Sequence, residues 1–175
     1  MDSPTDHENV SQVLHLQMIT QATEYLYSIT PYLVVGDEMI QALCNSAKSG
    51  VDVRLILPYI PDKKTVNQAT KSNYQTLLES GVRIYEYKPG FIHSKVMISD
   101  DHGAIIGTTN MDYRSYYMHF ECGILFMESK AIQQSKQDFM ETLEASVEIT
   151  LEDVRHTPLL IRLFRAVINL FQGLM

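Results

Sequence analysis

A chain of 175 residues with 45% hydrophobic and 20% charged residues has enough apolar material to bury a core, which excludes a disordered or fibrous protein. Its net charge of -7 counts against a protein that holds nucleic acid through a broadly basic surface. The two cysteines, Cys44 and Cys122, have no CxxC spacing and are expected to be reduced, buried thiols. The polar, acidic opening Met1–Glu8 does not have the form of a signal peptide.

In chain order, apolar residues at Val10, Val13, Leu14, Met18, Ala22 and Leu26 indicate an amphipathic helix from Asn9 to about Ser28. Tyr25–Thr30 fits either its end or a first strand. Pro31–Gly36 is an extended piece before a helix over Asp37–Ser49, which Gly50 stops. Val51–Pro58 reads as a strand, Pro61–Lys64 as a loop, Val66–Ser80 as a helix closed by Gly81, and Val82–Tyr87 as another strand. Strands alternating with helices imply an α/β domain whose largely parallel sheet is covered by helices on both faces.

Lys88–Gly90 turns the chain into Phe91–Ile98, an apolar run that reads as a strand carrying His93 and Lys95 two apart. Strand alternation places these two on one face, with roughly 7 Å between their Cα atoms. Asp100–Gly103 is a turn, and Gly103–Thr108 is the return strand of a hairpin. That return brings Asn110 back beside His93 and Lys95, so that an imidazole, an ammonium and an amide donor make an anion site. After the polar segment Asn110–Ser115, His119–Met127 reads as a buried strand with one charge, Glu121, which needs a donor or a cation. Lys130–Ser146 is an amphipathic helix.

Residues 157–175 form a separate C-terminal amphipathic helix after a single domain over 1–156. Its polar residues Arg162, Arg165, Asn169 and Gln172 fall on one narrow stripe. Two arginines in about 17 residues make a poor membrane span. The helix is expected either to dock on protein or to lie in a membrane interface with its arginines toward lipid phosphates.

This set of groups suits phosphodiester chemistry. Histidine serves as nucleophile or acid, Lys95 neutralises phosphate oxygens, and Asn110 donates a hydrogen bond. Glu121 could accept the other ring N–H of His93, as the third member of a triad does. No metal is required if these groups supply the electrophilic role, and the spacing of His93, Asp100, Asp101 and His102 fits no standard metal template.

His93-x-Lys95, Asp100 after four residues, and Gly107-Thr108-x-Asn110 after six more match the pattern H-x-K-x4-D-x6-G-[ST]-x-N at every fixed position. With this motif the chain resembles the phospholipase D superfamily. Thr30–Tyr32, Gly50–Arg54, Gly81–Tyr87, Asn110–Ser115 and Phe120-Glu121 extend the likeness to the C-terminal half of bacterial cardiolipin synthases. Val35–Glu38 departs from the family, which more often has a proline after the extended piece.

The resemblance implies a phospholipase D-like sandwich and a two-step phosphatidyl transfer. One motif histidine attacks the phosphodiester to give a phosphohistidine, and the other protonates the leaving alcohol. Two phosphatidylglycerols then give cardiolipin and glycerol. His93 would be the acid/base member, and Asp100 would brace the hairpin through salt bridges. His93, Lys95, Asn110, Glu121 and Asp100 form the expected catalytic group. Thr108, Ser115, Arg114, Phe91 and Tyr32 are expected on the substrate side, although Tyr32 and Phe91 fit the core equally well. Asp112 and Arg114 could pair with each other, and Ser115 could cap a turn.

Only one H-x-K occurs, because no other histidine has lysine two residues on. One copy is half an active site, so a fragment of a longer protein is expected, or else two copies paired about a two-fold axis. The expected partners are phosphatidylglycerol, the other motif-bearing half or a homodimer mate, and the surface of the bacterial cytoplasmic membrane. No cofactor, no nucleic acid and no transmembrane segment within this chain are expected. Two other readings remain: a homodimeric single-motif phosphodiesterase or nuclease, and a non-catalytic dimerisation or membrane-docking half.

Overall fold

The computed structural model describes residues 2–5 and 7–169. The first helix, α1 (Val10–Gln21), stops at Ala22, whose backbone is extended, and the chain enters strand β1 (Tyr25–Ile29). Tyr25–Ile29 is therefore strand and not the end of the helix. The short β2 (Leu33–Val34), α2 (Asp37–Lys48) and β3 (Asp52–Pro58) follow as the hydrophobic pattern predicts. The helix expected over Val66–Ser80 is two helices, α3 (Lys64–Ser72) and α4 (Tyr74–Glu79). The break is at Asn73, whose Nδ2 donates to the Leu33 carbonyl at 3.2 Å while its backbone N–H tightens back onto Thr70. Such a local side-chain bond competes with a continuous helix.

Next come β4 (Arg83–Tyr87), β5 (Val96–Ser99), β6 (Gly103–Gly107), the short β7 (Met111–Asp112), helix α5 (Tyr113–Tyr117) and β8 (Gly123–Met127). Helix α6 (Lys130–Glu144), β9 (Ser146–Ile149), α7 (Leu151–Arg155) and α8 (Leu159–Asn169) complete the described chain. Strand β9 and helices α5 and α7 are too short to show a periodicity, and the sequence pattern missed them. Gln172 of the C-terminal polar stripe lies outside the described residues.

Seven strands form one mixed sheet in the order β8-β6-β5-β1-β3-β4-β9. The β1–β3 and β3–β4 pairs at its centre are parallel, and antiparallel pairs flank them on both sides. Side-chain alternation along β1 and β3 sorts the core into two layers. Leu26, Val53, Leu55 and Leu57 face α1, α2 and α4. Tyr25, Tyr27, Ile29 and Ile56 face α6, where Phe139 stacks on Tyr27 at 4.8 Å between ring centroids. Helices thus cover both faces, the α/β sandwich that the sequence predicts.

Two expected strands are shorter than predicted. The strand read from Phe91 begins only at Val96, which pairs with Ile29, the last residue of β1. Beyond Ile29 the chain turns through Thr30-Pro31, and Pro31 has no N–H to offer, so residues 91–95 leave the sheet. The strand expected over His119–Met127 is regular only from Gly123, and it is an exposed edge strand rather than a buried one. Glu121 is nonetheless buried, in an isolated antiparallel bridge with Asp2. Cys44 is buried as expected, but Cys122 lies exposed at the start of this edge, and both are free thiols.

The β5–β6 turn has both central residues, Asp100 and Asp101, in the left-handed region at φ +53° and +58°. Aspartate tolerates this because its side chain can bond nearby backbone. Here the Asp100 carboxylate accepts from the backbone N–H groups of Thr23 (2.7 Å), Glu24 (3.0 Å) and Tyr25 (2.8 Å), and from the Thr23 hydroxyl (3.0 Å). Burial acts to raise its pKa, but these donors outweigh burial and hold the carboxyl below the usual range.

Asp100→Asn is expected to cost about 2–4 kcal/mol at neutral pH, the scale of several charge-assisted hydrogen bonds. Because the folded pKa is depressed, the carboxylate's contribution is complete above the unfolded value of about 3.9 and is lost as pH falls through the folded value. Urea titrations of both proteins at pH 7 and pH 3 should therefore show the gap between them closing in acid.

Candidate active site

The parallel strands β1 and β3 end, through Ile29 and Pro58, at the same edge of the sheet as β4 ends through Tyr87. Antiparallel pairing sets the beginning of β5 and the end of β6 at this edge as well. Such a carboxyl-end crevice is where open α/β sheets bind ligands. His93 and Lys95 approach it just before β5, and Gly107, Thr108 and Asn110 leave it just after β6. The Gly107 N–H donates to the Lys95 carbonyl at 3.2 Å, which holds the two motif segments side by side. A Cβ on Gly107 would lie 2.5 Å from the Cys122 carbonyl oxygen, so only glycine allows β6 and the chain entering β8 to approach this closely.

His93 is exposed, and it opens with Ser94, Lys95 and Gly107 onto a cavity of about 480 Å³ whose far wall is α6, through Gln134, Ser135 and Asp138. Its ring lies 5.5 Å from that of Phe91, which in turn lies 6.4 Å from Tyr32. Burial first, and then the charge of Lys95, lower the His93 pKa, while Asp62 opposes them. The Lys95 ammonium donates to the His93 carbonyl at 2.7 Å. Burial lowers its pKa too, opposed by the carboxylates of Glu121 and Asp112.

Asn110 is positioned by Ser115, which is fully buried. The Ser115 hydroxyl accepts from the Asn110 Nδ2 at 3.0 Å and from its backbone N–H at 3.1 Å. Asp112 caps α5 by accepting from the Ser115 N–H at 2.6 Å, and its burial raises its pKa. The two-residue pairing of β2 with β7 draws the Tyr32 loop against this segment, Leu33 opposite Met111. Tyr32, Asp112 and Arg114 then line a second cavity of about 210 Å³ with Lys63 and Val66.

Of the residues read from the sequence, His93 and Lys95 line the first cavity and Tyr32 and Arg114 the second, and three expected contacts differ. Glu121 does not accept from the His93 ring: its carboxylate is bonded to the Thr108 hydroxyl, with His119 at 3.7 Å. The bridge to Asp2 and the close β6–β8 approach turn Glu121 toward Thr108, whose hydroxyl also accepts from the Cys122 N–H. Asp100 lies at the opposite end of β5 from His93, where its carboxylate accepts from Thr23–Tyr25 through hydrogen bonds and makes no salt bridge among the described residues, so it is a brace outside the site. Asp112 and Arg114 make no ion pair with each other among the described residues.

Sequence reasoning passed over Asp62 and Lys63. Asp62 accepts from the Tyr32 hydroxyl, and the Lys63 ammonium sits 5.7 Å from the centre of the Tyr32 ring. Their place directly after the carboxyl end of a parallel strand was the available signal.

Residues 15–143 match the family described as "Cardiolipin synthase, PLD-like domain". A cardiolipin synthase of Geobacillus is 39% identical over 172 residues, which cover 98% of this chain and 34% of that protein. This chain spans about a third of the length of the curated relatives it matches. Among solved structures, the phosphatidylserine synthase of Haemophilus influenzae superposes with a TM-score of 0.75 at 13% identity, over 95% of this chain and 45% of that one. Nuc, a phospholipase D family member from Salmonella typhimurium, gives 0.69 at 18% identity over 79% of this chain and 90% of that one. The extent of the family match shows that the chain belongs to the cardiolipin synthase family of phospholipase D-like domains.

Proposed function

We propose that this chain supplies one motif-bearing half of the active site of a phosphatidyltransferase that makes cardiolipin from two phosphatidylglycerols. The observation that carries this reading is the cavity at the carboxyl end of the sheet, where His93 and Lys95 open beside Gly107. In the first step an imidazole nitrogen attacks phosphorus, and the P–O bond to the headgroup glycerol breaks. A second imidazole gives its proton to the departing alkoxide, and a phosphohistidine remains. In the second step a headgroup hydroxyl of another phosphatidylglycerol attacks that phosphorus, its proton passes to the waiting imidazole, and the P–N bond breaks. Two substrates thus give cardiolipin and glycerol.

His93 takes the acid/base role and the second half contributes the nucleophile. Lys95 and the Asn110 amide offset charge on the phosphoryl oxygens. Glu121 serves through Thr108 and through its field at Lys95 rather than as the orienter of His93. Phe91, Tyr32 and Arg114 line the path toward the acceptor. The second unit seats on the apolar edge formed by β8 and Phe120, which is 73% exposed and directly precedes Glu121.

With the full-length protein, thin-layer analysis should show cardiolipin and glycerol formed from phosphatidylglycerol, and His93→Ala should lower the rate by about 10²–10⁴-fold. Cleavage of single-stranded DNA without any cardiolipin would overturn the assignment in favour of a nuclease. Since the Lys95 charge helps lower the His93 pKa, Lys95→Gln should move the imidazole titration upward, read from its ring-proton shifts by NMR. Phe120→Glu in this chain should abolish its association with the separately produced second motif-bearing unit, seen by sedimentation as unassociated chains that keep the native circular dichroism.

A further inference from the structure

Helix α8 is two-faced. Ile168 packs with Val34, Val66 and Ala69, which fastens the helix to α3 and β2. Arg165 Nε donates to the side-chain amide Oε1 of Gln68 at 2.9 Å, and the Asn169 Oδ1 accepts from the Ser72 hydroxyl. The opposite arc keeps Leu159, Leu160, Leu163, Phe164 and Val167 in solvent, with Leu160 81% and Leu163 62% exposed. At 100° per residue these five fall within an arc of about 140°. Beside them a cavity of about 480 Å³ opens between α3 and α8, lined by Lys71, Arg162 and Arg165 together with Leu159, Leu163 and Asn169. Glu86, whose charge acts on Arg165, is buried and paired with Lys71 at 2.8 Å, so it faces inward.

Charge decides what covers this surface. From Val154 to the last residue the sequence has three arginines and no acidic residue, in a chain of net charge -7. An apolar arc edged by cations, on a chain that is otherwise acidic, is complementary to a layer of anionic headgroups over hydrocarbon. The described part of α8, 11 residues and about 16 Å long, carries two arginines among its apolar residues, which suits lying on a bilayer. Among the described residues no helix is long and apolar enough to span.

We propose that α8 is a monotopic docking helix. Its Leu159–Val167 arc enters the interface of an anionic bilayer while Arg162 and Arg165, with Lys71, hold a lipid phosphate in the flanking cavity. The helix also stands next to the candidate site. Val34 and Val66, which it packs on, line the cavity shared by Tyr32, Asp112 and Arg114. Docking there would present that cavity to the membrane surface from which a lipid substrate must come. The choice of lipid rests on the proposed phosphatidyl transfer; the docking does not.

The chain contains no tryptophan, so Leu160→Trp is a unique reporter. With vesicles of phosphatidylcholine containing 30% phosphatidylglycerol, the Trp emission should shift to the blue and be quenched by brominated acyl chains. Vesicles of phosphatidylcholine alone should bind at least about tenfold more weakly. Arg162→Gln in the same background should weaken anionic-vesicle binding about fivefold, and 0.5 M salt should do likewise. Unshifted, unquenched emission at millimolar lipid would overturn the proposal. So would a blue shift without vesicles that disappears on dilution, because a second copy of the chain would then be the occupant. Activity of the full-length Leu160→Glu variant on detergent-dispersed phosphatidylglycerol should match the unmodified protein. Absence of transfer by the unmodified full-length protein on detergent-dispersed phosphatidylglycerol, with vesicle binding of the Leu160→Trp reporter intact, would count against the catalytic reading and leave the docking helix standing.

Discussion

Four hydrogen bonds on one carboxylate set the geometry on which the site depends. Asp100 ties the end of β5 to the backbone that opens β1, and this sets Leu26 opposite Ser99 and Ile29 opposite Val96. A slip of one residue would turn every side chain of β5 to the other face and carry the His93–Lys95 segment with it. The aspartate of the motif therefore acts at a distance, holding in register a strand whose far end presents the reactive groups. Its two left-handed turn residues are the local cost of placing a carboxylate where three amides can reach it.

The motif segment His93–Lys95 is itself off the sheet. Pro31 ends β1 as a hydrogen-bonding partner, so residues 91–95 are released at the level of Val96, and His93 is exposed rather than locked between strands. Under the proposed function this placement suits a group that must meet phosphorus and a second motif. The surrounding field is graded. Lys95 stands in the negative field of Glu121 and Asp112, while His93 feels Lys95 against Asp62. Burial lowers both pKa values; the two carboxylates oppose it at the lysine, whereas the lysine charge adds to it at the histidine, so the neutral imidazole is favoured at His93.

Two apolar surfaces remain open on opposite grounds. The β8 edge continues directly from Thr108 and Glu121, so whatever covers it lies against the site. Helix α8 is fastened on one side and edged with arginines on the other, a charge pattern that an acidic protein partner does not require but a headgroup layer does. On this view one half of a transferase carries two faces, one for its complementary half and one for the surface that holds its substrate.

The sequence by itself determined the α/β alternation, the central hairpin and the identities of His93, Lys95, Gly107, Thr108 and Asn110, because periodicity and motif spacing are local properties of the chain. It did not contain the partner of Glu121, the break at Asn73, the edge position of β8 or the involvement of Asp62 and Lys63. Each of those is a contact between segments far apart in the chain: Glu121 with Thr108 and Asp2, Asn73 with Leu33, Asp62 with Tyr32. Which donor a buried carboxylate meets, and which face of a strand stays in water, are settled only when the whole sheet closes. Side-chain chemistry names the candidates, and packing chooses among them.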